Sequence, residues 1–507
     1  MEQPATWSMI FFLILLLIII FFPFFHPIYL RSTSEKWHKY YPWDSNWKKL
    51  LIGLSLSIGY YIYLFTLSSS IAWKMFSFSF HSFISLFALL FSLFVSCTGL
   101  PLLKLPSTKI HSSTKLLTLI CIVGKNVLFL AFSTILCNLI GTLAASVLLF
   151  PSFLSQNSSR LNHLNNQRFL IIFFIIIIGN CAGVLSPLGD PPLYMGYTNG
   201  VEFKFTFIYL YKIFLVANVY ILIIFAFIDL FNAWIYRREQ KHHKNRTYEL
   251  TSSGEKFDER YDLSSAVRIQ WNGIYHGAFL VLIIGTVLLK GFNIPLKWPE
   301  YVQEIILFII AIVCICFDVV WTKQTLKQWW KSNYSTRIEP VAEVIVIFVG
   351  LFFTMSAPIT ILSNLNLQFG PKLLFLLSGI FAALLDNAPV YISFAASAAA
   401  RHNITVDTTD FLATFFAEHE TDAIITIRAI SAGSVLMGAC TLLGNAPNMI
   451  IALMATRYTY RLENSMNKSE DEDIPIYRLE NVGFIRFMIT SCLILTPIFV
   501  VIDLFML

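Results

Sequence analysis

The stretch Gly179-Asn180-Cys181-Ala182-Gly183-Val184-Leu185-Ser186-Pro187-Leu188-Gly189-Asp190-Pro191-Pro192 cannot continue a helix, yet it follows one directly. Three Pro and three Gly in 14 residues interrupt helical hydrogen bonding. The run before it, 169–178, has ten apolar residues, too few to cross a bilayer alone. Within a membrane, freed N–H and C=O groups must find partners, so unwound backbone is tolerated only around a cavity or a ligand. Freed carbonyls and the Asp190 carboxylate are hard oxygen ligands that suit a small cation.

The rest of the chain places this stretch in a membrane. Of 507 residues, 56% are hydrophobic and 13% charged, with a mean hydropathy of +0.68. Soluble chains have roughly 45–50% apolar and about 25% charged residues. Such apolar content cannot be hidden in a water-soluble core, and it excludes disorder and coiled coil. Twelve apolar segments are expected: 8–25, 50–66, 82–100, 117–150, 168–192, 205–230, 271–291, 302–321, 341–363, 370–400, 428–455 and 482–505. The first could pass for a signal peptide, but Glu2 precedes it, no Lys or Arg does, and no A-x-A site follows, so it reads as a retained helix. The eight Cys all lie in apolar segments and predict no disulfide framework; Cys314-x-Cys316 lacks the partners of a metal site.

Two segments are too long for one untilted helix and carry polar residues near their centres. Segment 117–150 is interrupted at Asn138, Gly141 and Thr142, and segment 370–400 at Asp386, Asn387 and Pro389. A hairpin that enters and leaves on one side fits both. With two such hairpins, ten crossings and both termini outside, one set of loops carries 25 Lys and Arg and the opposite set 4. The positive-inside rule then puts the basic loops, including 231–270, in the cytoplasm. The net charge of +6 reads as this loop bias rather than as a nucleic-acid surface.

The first hairpin enters from the cytoplasm and the second from outside, and a broken helix follows each. The second break reads Gly438-Ala439-Cys440-Thr441-Leu442-Leu443-Gly444-Asn445-Ala446-Pro447-Asn448. Two units of one plan in opposite orientation, with broken helices meeting at the midplane, are how many secondary transporters are built. The fold class predicted is thus an all-α polytopic membrane protein. The organisation predicted is 1–100 as scaffold, 101–230 as the first repeat, 231–270 as a basic loop, 271–321 as scaffold and 341–507 as the second repeat.

Asp386 has no Lys or Arg within ten residues, and a charge at such depth costs at least about 2.5–3.5 kcal/mol. Burial favours the protonated carboxyl at Asp190 and Asp386, while a bound cation favours the carboxylate. One group then holds a proton or Na⁺ but not both well, which gives exchange if the site faces each side in turn. Lys125, midway up the first hairpin limb, reads either as a partner of an Asp or as a snorkelling side chain, and Glu343, at the start of segment 341–363 after Pro340, either as a proton entry point or as a helix-start acid favoured by the dipole; both are candidate members of a proton path. His402, His419, Glu418, Glu420 and Asp422 are expected in a polar outer loop. No P-loop, G-x-S-x-G or paired zinc motif is present, so no enzyme and no cofactor is predicted, only Na⁺ as transported or coupling ion.

At these motifs the sequence resembles the ion transporter superfamily, and within it the NhaD-type sodium/proton antiporters and the related citrate-transporter-like group. The residues that carry the likeness are Ser186 to Pro192, Gly196, Gly200-Val201, Asp386-Asn387-Ala388-Pro389, Ser431-Ala432-Gly433-Ser434 and Gly444 to Asn448, over about 80–460. The resemblance implies scaffold and transport domains, a homodimer, elevator-like alternating access in an inner or plasma membrane, and a Na⁺ site at each hairpin and break. By motif position the sites carry over to Asn138, Thr142, Ser186 and Asp190, and to Asp386, Asn387, Asn445 and Asn448. The first tip departs from the family: Gly141-Thr142-Leu143-Ala144-Ala145-Ser146 lacks a second Thr and Gly, and Phe150-Pro151 stands where a basic residue is expected. Both losses weaken the case for an anionic substrate more than for a cation. The function expected is exchange of Na⁺ or Li⁺ for H⁺, with Na⁺-coupled citrate or dicarboxylate symport as the alternative.

Overall fold

The computed structural model describes residues 4–32, 45–100, 103–104, 116–157, 168–250, 268–269, 273–292, 294, 298–333, 339–364, 369–404, 410–452, 454–455 and 484–507. Much of the basic loop 231–270 and of the loop 456–481 lies outside them. Apart from one two-residue antiparallel bridge, Leu103–Lys104 with Arg268–Ile269, all the regular structure described is helical. Nine helices among the described residues are long and apolar enough to cross a membrane.

The centre of the molecule is the first broken helix. Arg168–Ile178 is buried from Leu170 to Ile178, as a helix apolar on every side must be. It gives way to a 3₁₀ turn at Cys181–Leu185 and resumes as Pro191–Thr198, with Pro in the first turn where its missing N–H costs nothing. The first hairpin (Leu116–Ile140 and Thr142–Gln156), Tyr211–Leu250 and Phe484–Phe505 pack around it. The hairpin reverses at Gly141, whose φ of 80° and closeness to Leu188 O leave no room for a side chain.

The second repeat has the same plan. Its hairpin is Pro371–Leu384 and Asn387–Ala400, and its broken helix runs Glu420–Met437, a 3₁₀ turn at Gly438–Cys440, then helix again from 446. Laid in register, Ser186-x-x-Gly189-Asp190-x-Pro192 matches Thr441-x-x-Gly444-Asn445-x-Pro447. Their backbones agree: Ser186 has φ −130° and ψ 145°, Thr441 φ −133° and ψ 164°. In each break a glycine touches the glycine six residues before it. A Cβ on Gly189 would lie 2.2 Å from Gly183 O, and one on Gly444 2.5 Å from Gly438 O. The inverted repeat therefore extends to the turn that closes each break.

Beside these elements, Asn46–Leu67 packs on Glu339–Thr354, and Ser69–Gly99 on Val302–Trp321. Four segment boundaries are corrected. The helix expected from 82 begins at Ser69, because the early stretch finds partners inside the protein: Ser79 is buried and accepts from the Tyr61 hydroxyl at 3.2 Å. The helix expected to end at 230 runs on as Tyr211–Leu250, so the basic stretch starts helical. Segment 341–363 is two helices, Glu339–Thr354 and Ser356–Asn364. The second broken helix starts at Glu420, not 428, after a helix at Phe411–Glu418 where a loop was expected. Glu420 and Asp422 in its first turn favour that start through the helix dipole. Asp422 also takes hydrogen bonds from Arg401 (3.0 Å) and His402 (2.8 Å).

Candidate functional site

Asp190 is the point where both hairpin tips and both breaks meet. It stands at the N-cap position of Pro191–Thr198, where its carbonyl accepts from Leu193 N and Tyr194 N, and it is 1% exposed. From the first hairpin tip the Thr142 hydroxyl donates to Oδ1 at 2.8 Å. From the second tip Asn387 Nδ2 donates to Oδ2 at 2.7 Å. From the second break Asn445 Nδ2 donates to Oδ1 at 2.9 Å. Asp190 and Asn445 hold equivalent positions in the two breaks, so this last bond joins matching residues of the two repeats. One of the two is an acid and the other an amide, so the pair carries a single ionisable group.

The amides also leave oxygens bare. Asn387 Oδ1 and Asn445 Oδ1 are buried without a hydrogen-bond partner. An unsatisfied buried acceptor costs about 1–3 kcal/mol, and here two flank one carboxylate. A cavity beside Asp190 is walled by Thr142, Tyr194 and four leucines of Ser69–Gly99, namely Leu86, Leu89, Leu90 and Leu93. No Lys, Arg or His among the described residues forms an ion pair with Asp190. The site thus offers oxygens, three neutral donors and one carboxylate: a set that accepts a small cation or a proton and gives an anion no positive partner.

The remaining residues predicted for the site surround this centre. Asn138 seals the first break, its Oδ1 accepting from Leu185 N (3.1 Å) while its amide donates to Thr134 O (2.8 Å). Ser186 Oγ accepts from Leu188 N (3.1 Å), and Thr441 does the same for Leu443 N (3.1 Å) in the other repeat. Asn448 ties the breaks together. It accepts from Asn180 (2.7 Å) and donates to Gly438 O (3.0 Å) and Thr441 O (2.8 Å). Asp386 is half-buried and caps its own limb, accepting from Ala388 N at 3.2 Å; its neighbour Asn387, not Asp386, reaches Asp190. Lys125 has an exposed side chain, and Glu343 is ion-paired with Lys49, bracing Asn46–Leu67 against Glu339–Thr354.

Several polar contacts have no sequence signal of their own. Thr441 matches Ser186, so laying one break on the other finds it; Asn180 lies in the quoted first break but falls opposite Val435 and has no counterpart there. Asn126, which donates to Asp229 (2.9 Å), and Gln303, which donates to Tyr194 (2.7 Å), join residues over a hundred positions apart.

Compared with models of known protein families, the whole chain, residues 1–507, matches one described as "Putative citrate transport". The chain belongs to this family. The citrate-transport family match agrees with the citrate-transporter-like resemblance read from the motifs, and the chain is a multi-pass membrane transporter of that kind. No curated protein matches it.

Proposed function

We propose that this member of the citrate-transport family exchanges Na⁺ or Li⁺ for H⁺ by alternating access, with Asp190 holding either the cation or the proton. The observation that carries the reading is one carboxylate between two hairpin tips and two breaks, with two bare amide oxygens beside it. In this reading Asp190, Asn387 and Asn445 supply cation ligands and Thr142 supports them. Asn138, Ser186 and Asn448 fix the shape of the breaks, and Asp386 is a second acid within electrostatic reach of Asp190. The single charge of the Asp190–Asn445 pair suits one monovalent ion or one proton at a time. The basic loops face the cytoplasm and the functional unit is a homodimer.

The family description favours a second reading, Na⁺-coupled citrate uptake. There Asp190 would be a Na⁺ ligand only, because a citrate carboxylate against it meets like charge. Everted vesicles with an acid interior separate the two. Dissipation of the proton gradient on adding Na⁺ or Li⁺ alone supports exchange. No response to cations, with Na⁺-dependent citrate uptake, overturns it.

A further inference from the structure

A second buried acid stands in the contact between the outer helices and the helix that Asp190 caps. Glu304, in the first turn of Val302–Trp321, has a side chain 2% exposed. Its Oε1 accepts from Ser85 Oγ at 2.8 Å and lies 3.6 Å from Lys290 Nζ, while Oε2 is buried with no partner. Lys290, in the last turn of Tyr275–Gly291, is 24% exposed. The residue before Glu304 reaches the other way. Gln303 Nε2 donates to the Tyr194 hydroxyl at 2.7 Å, and the Tyr197 hydroxyl donates to Gln303 Oε1 at 3.5 Å. Tyr194 lies one turn beyond Asp190, bonds back to its carbonyl (3.2 Å) and walls the same cavity.

We propose that Glu304 is a second proton-binding carboxylate of the transport cycle, a positioning residue that acts on Asp190 through Gln303 and Tyr194. This rests on the cation/proton reading of Asp190. Charged, Glu304 is held by Lys290 and Ser85. Protonated, it loses the Lys290 attraction, and the start of Val302–Trp321, with Gln303 in it, is freed to shift against Tyr194. A proton arriving at the face opposite the basic loops thereby loosens the outer helices from the helix that presents Asp190. Several ionisable groups face Glu304. His81, whose Nδ1 is also buried without a partner, comes from Ser69–Gly99, Lys290 from Tyr275–Gly291, and Tyr194 and Tyr197 from Pro191–Thr198. Glu300 and Tyr301 in the preceding turn complete the group, and Asp410 stands behind His81.

The test uses the full chain in proteoliposomes, with Glu304→Gln and Glu304→Asp against wild type. Na⁺-driven proton flux and Na⁺-dependent citrate uptake are each recorded over a pH series. Thermal stabilisation by Na⁺ in detergent is measured in parallel. Glu304→Gln is expected to move the half-maximal pH of transport by about one unit or more, tenfold in proton activity. Its Na⁺ stabilisation stays within about threefold of wild type, and Glu304→Asp restores the pH profile. A Gln profile that superimposes on wild type overturns the proposal. Uniform loss of flux at every pH that Asp does not rescue also overturns it, and marks a merely structural ion pair. A wild type with no Na⁺-driven proton flux but with Na⁺-dependent citrate uptake refutes the exchange reading of Asp190 instead; the pH profile of that uptake then decides Glu304 by the same criterion.

Discussion

Asp190→Asn separates folding from function, because two large terms nearly cancel in one and not in the other. The carboxylate accepts three hydrogen bonds, at 2.7, 2.8 and 2.9 Å. A bond to a charged group contributes about 1.5–3 kcal/mol and a neutral one about 0.5–1.5, so neutralisation weakens the three by about 3–5 kcal/mol together. Removing a buried charge returns several kcal/mol of desolvation. The new amide would point N–H at Asn387 Nδ2, but Asn387 can turn its bare Oδ1 inward and restore a donor–acceptor pair. The variant should therefore insert and fold with a melting temperature close to wild type. Cation binding has no such compensation. A unit charge about 4 Å from Na⁺ contributes about 4 kcal/mol at an effective dielectric constant near 20, about a thousandfold in affinity. Thermal stabilisation by Na⁺ in detergent reads the affinity, and gradient dissipation in everted vesicles reads transport. A variant that keeps a Na⁺ midpoint within threefold of wild type would sink the argument that Asp190 is the cation's charge partner.

Thr142→Val removes one donor to Asp190 and should weaken the site by about 1–3 kcal/mol, with Thr142→Ser restoring it, as Na⁺ titration of both variants would show. Gly189→Ala places a Cβ 2.2 Å from Gly183 O, so the first break cannot close; transport should be lost in protein that still inserts, and a transport-competent variant would contradict the packing. Lys49→Ala leaves the Glu343 carboxylate, 20% exposed, without its partner and should cost about 2–3 kcal/mol, less than a fully buried pair. Thermal melting should recover when Lys49→Met is combined with Glu343→Leu, with transport retained.

The breaks were legible because Gly, Pro and amide residues inside apolar runs have few structural uses in a membrane. The same logic named all four residues that meet at the centre, Thr142, Asp190, Asn387 and Asn445. It over-extended to Asp386, which an acid-next-to-amide pair makes look equivalent to Asn387; one residue of helical rotation turns Asp386 to cap its own limb instead. Glu343 read equally as a proton entry or a helix-start acid until Lys49, 294 positions away, was placed beside it. Glu304 and Gln303 gave no signal, because an acid in a helix's first turn is ordinary. Their partners Ser85 and Tyr194 are distant in sequence. The start of Ser69–Gly99 was hidden by serines that lower hydropathy, among them Ser79, which bonds to Tyr61 inside the protein.

The central claim is that Asp190 holds a cation or a proton and never both. The apparent Na⁺ affinity of the purified full-length protein, measured by thermal stabilisation over a pH series, tests it most directly. Competition predicts a Na⁺ midpoint that rises about tenfold per pH unit on the acid side and levels off on the alkaline side, with the dependence gone in Asp190→Asn. A Na⁺ midpoint that stays constant with pH would contradict the account, and would leave Asp190 as a cation ligand with no part in proton exchange.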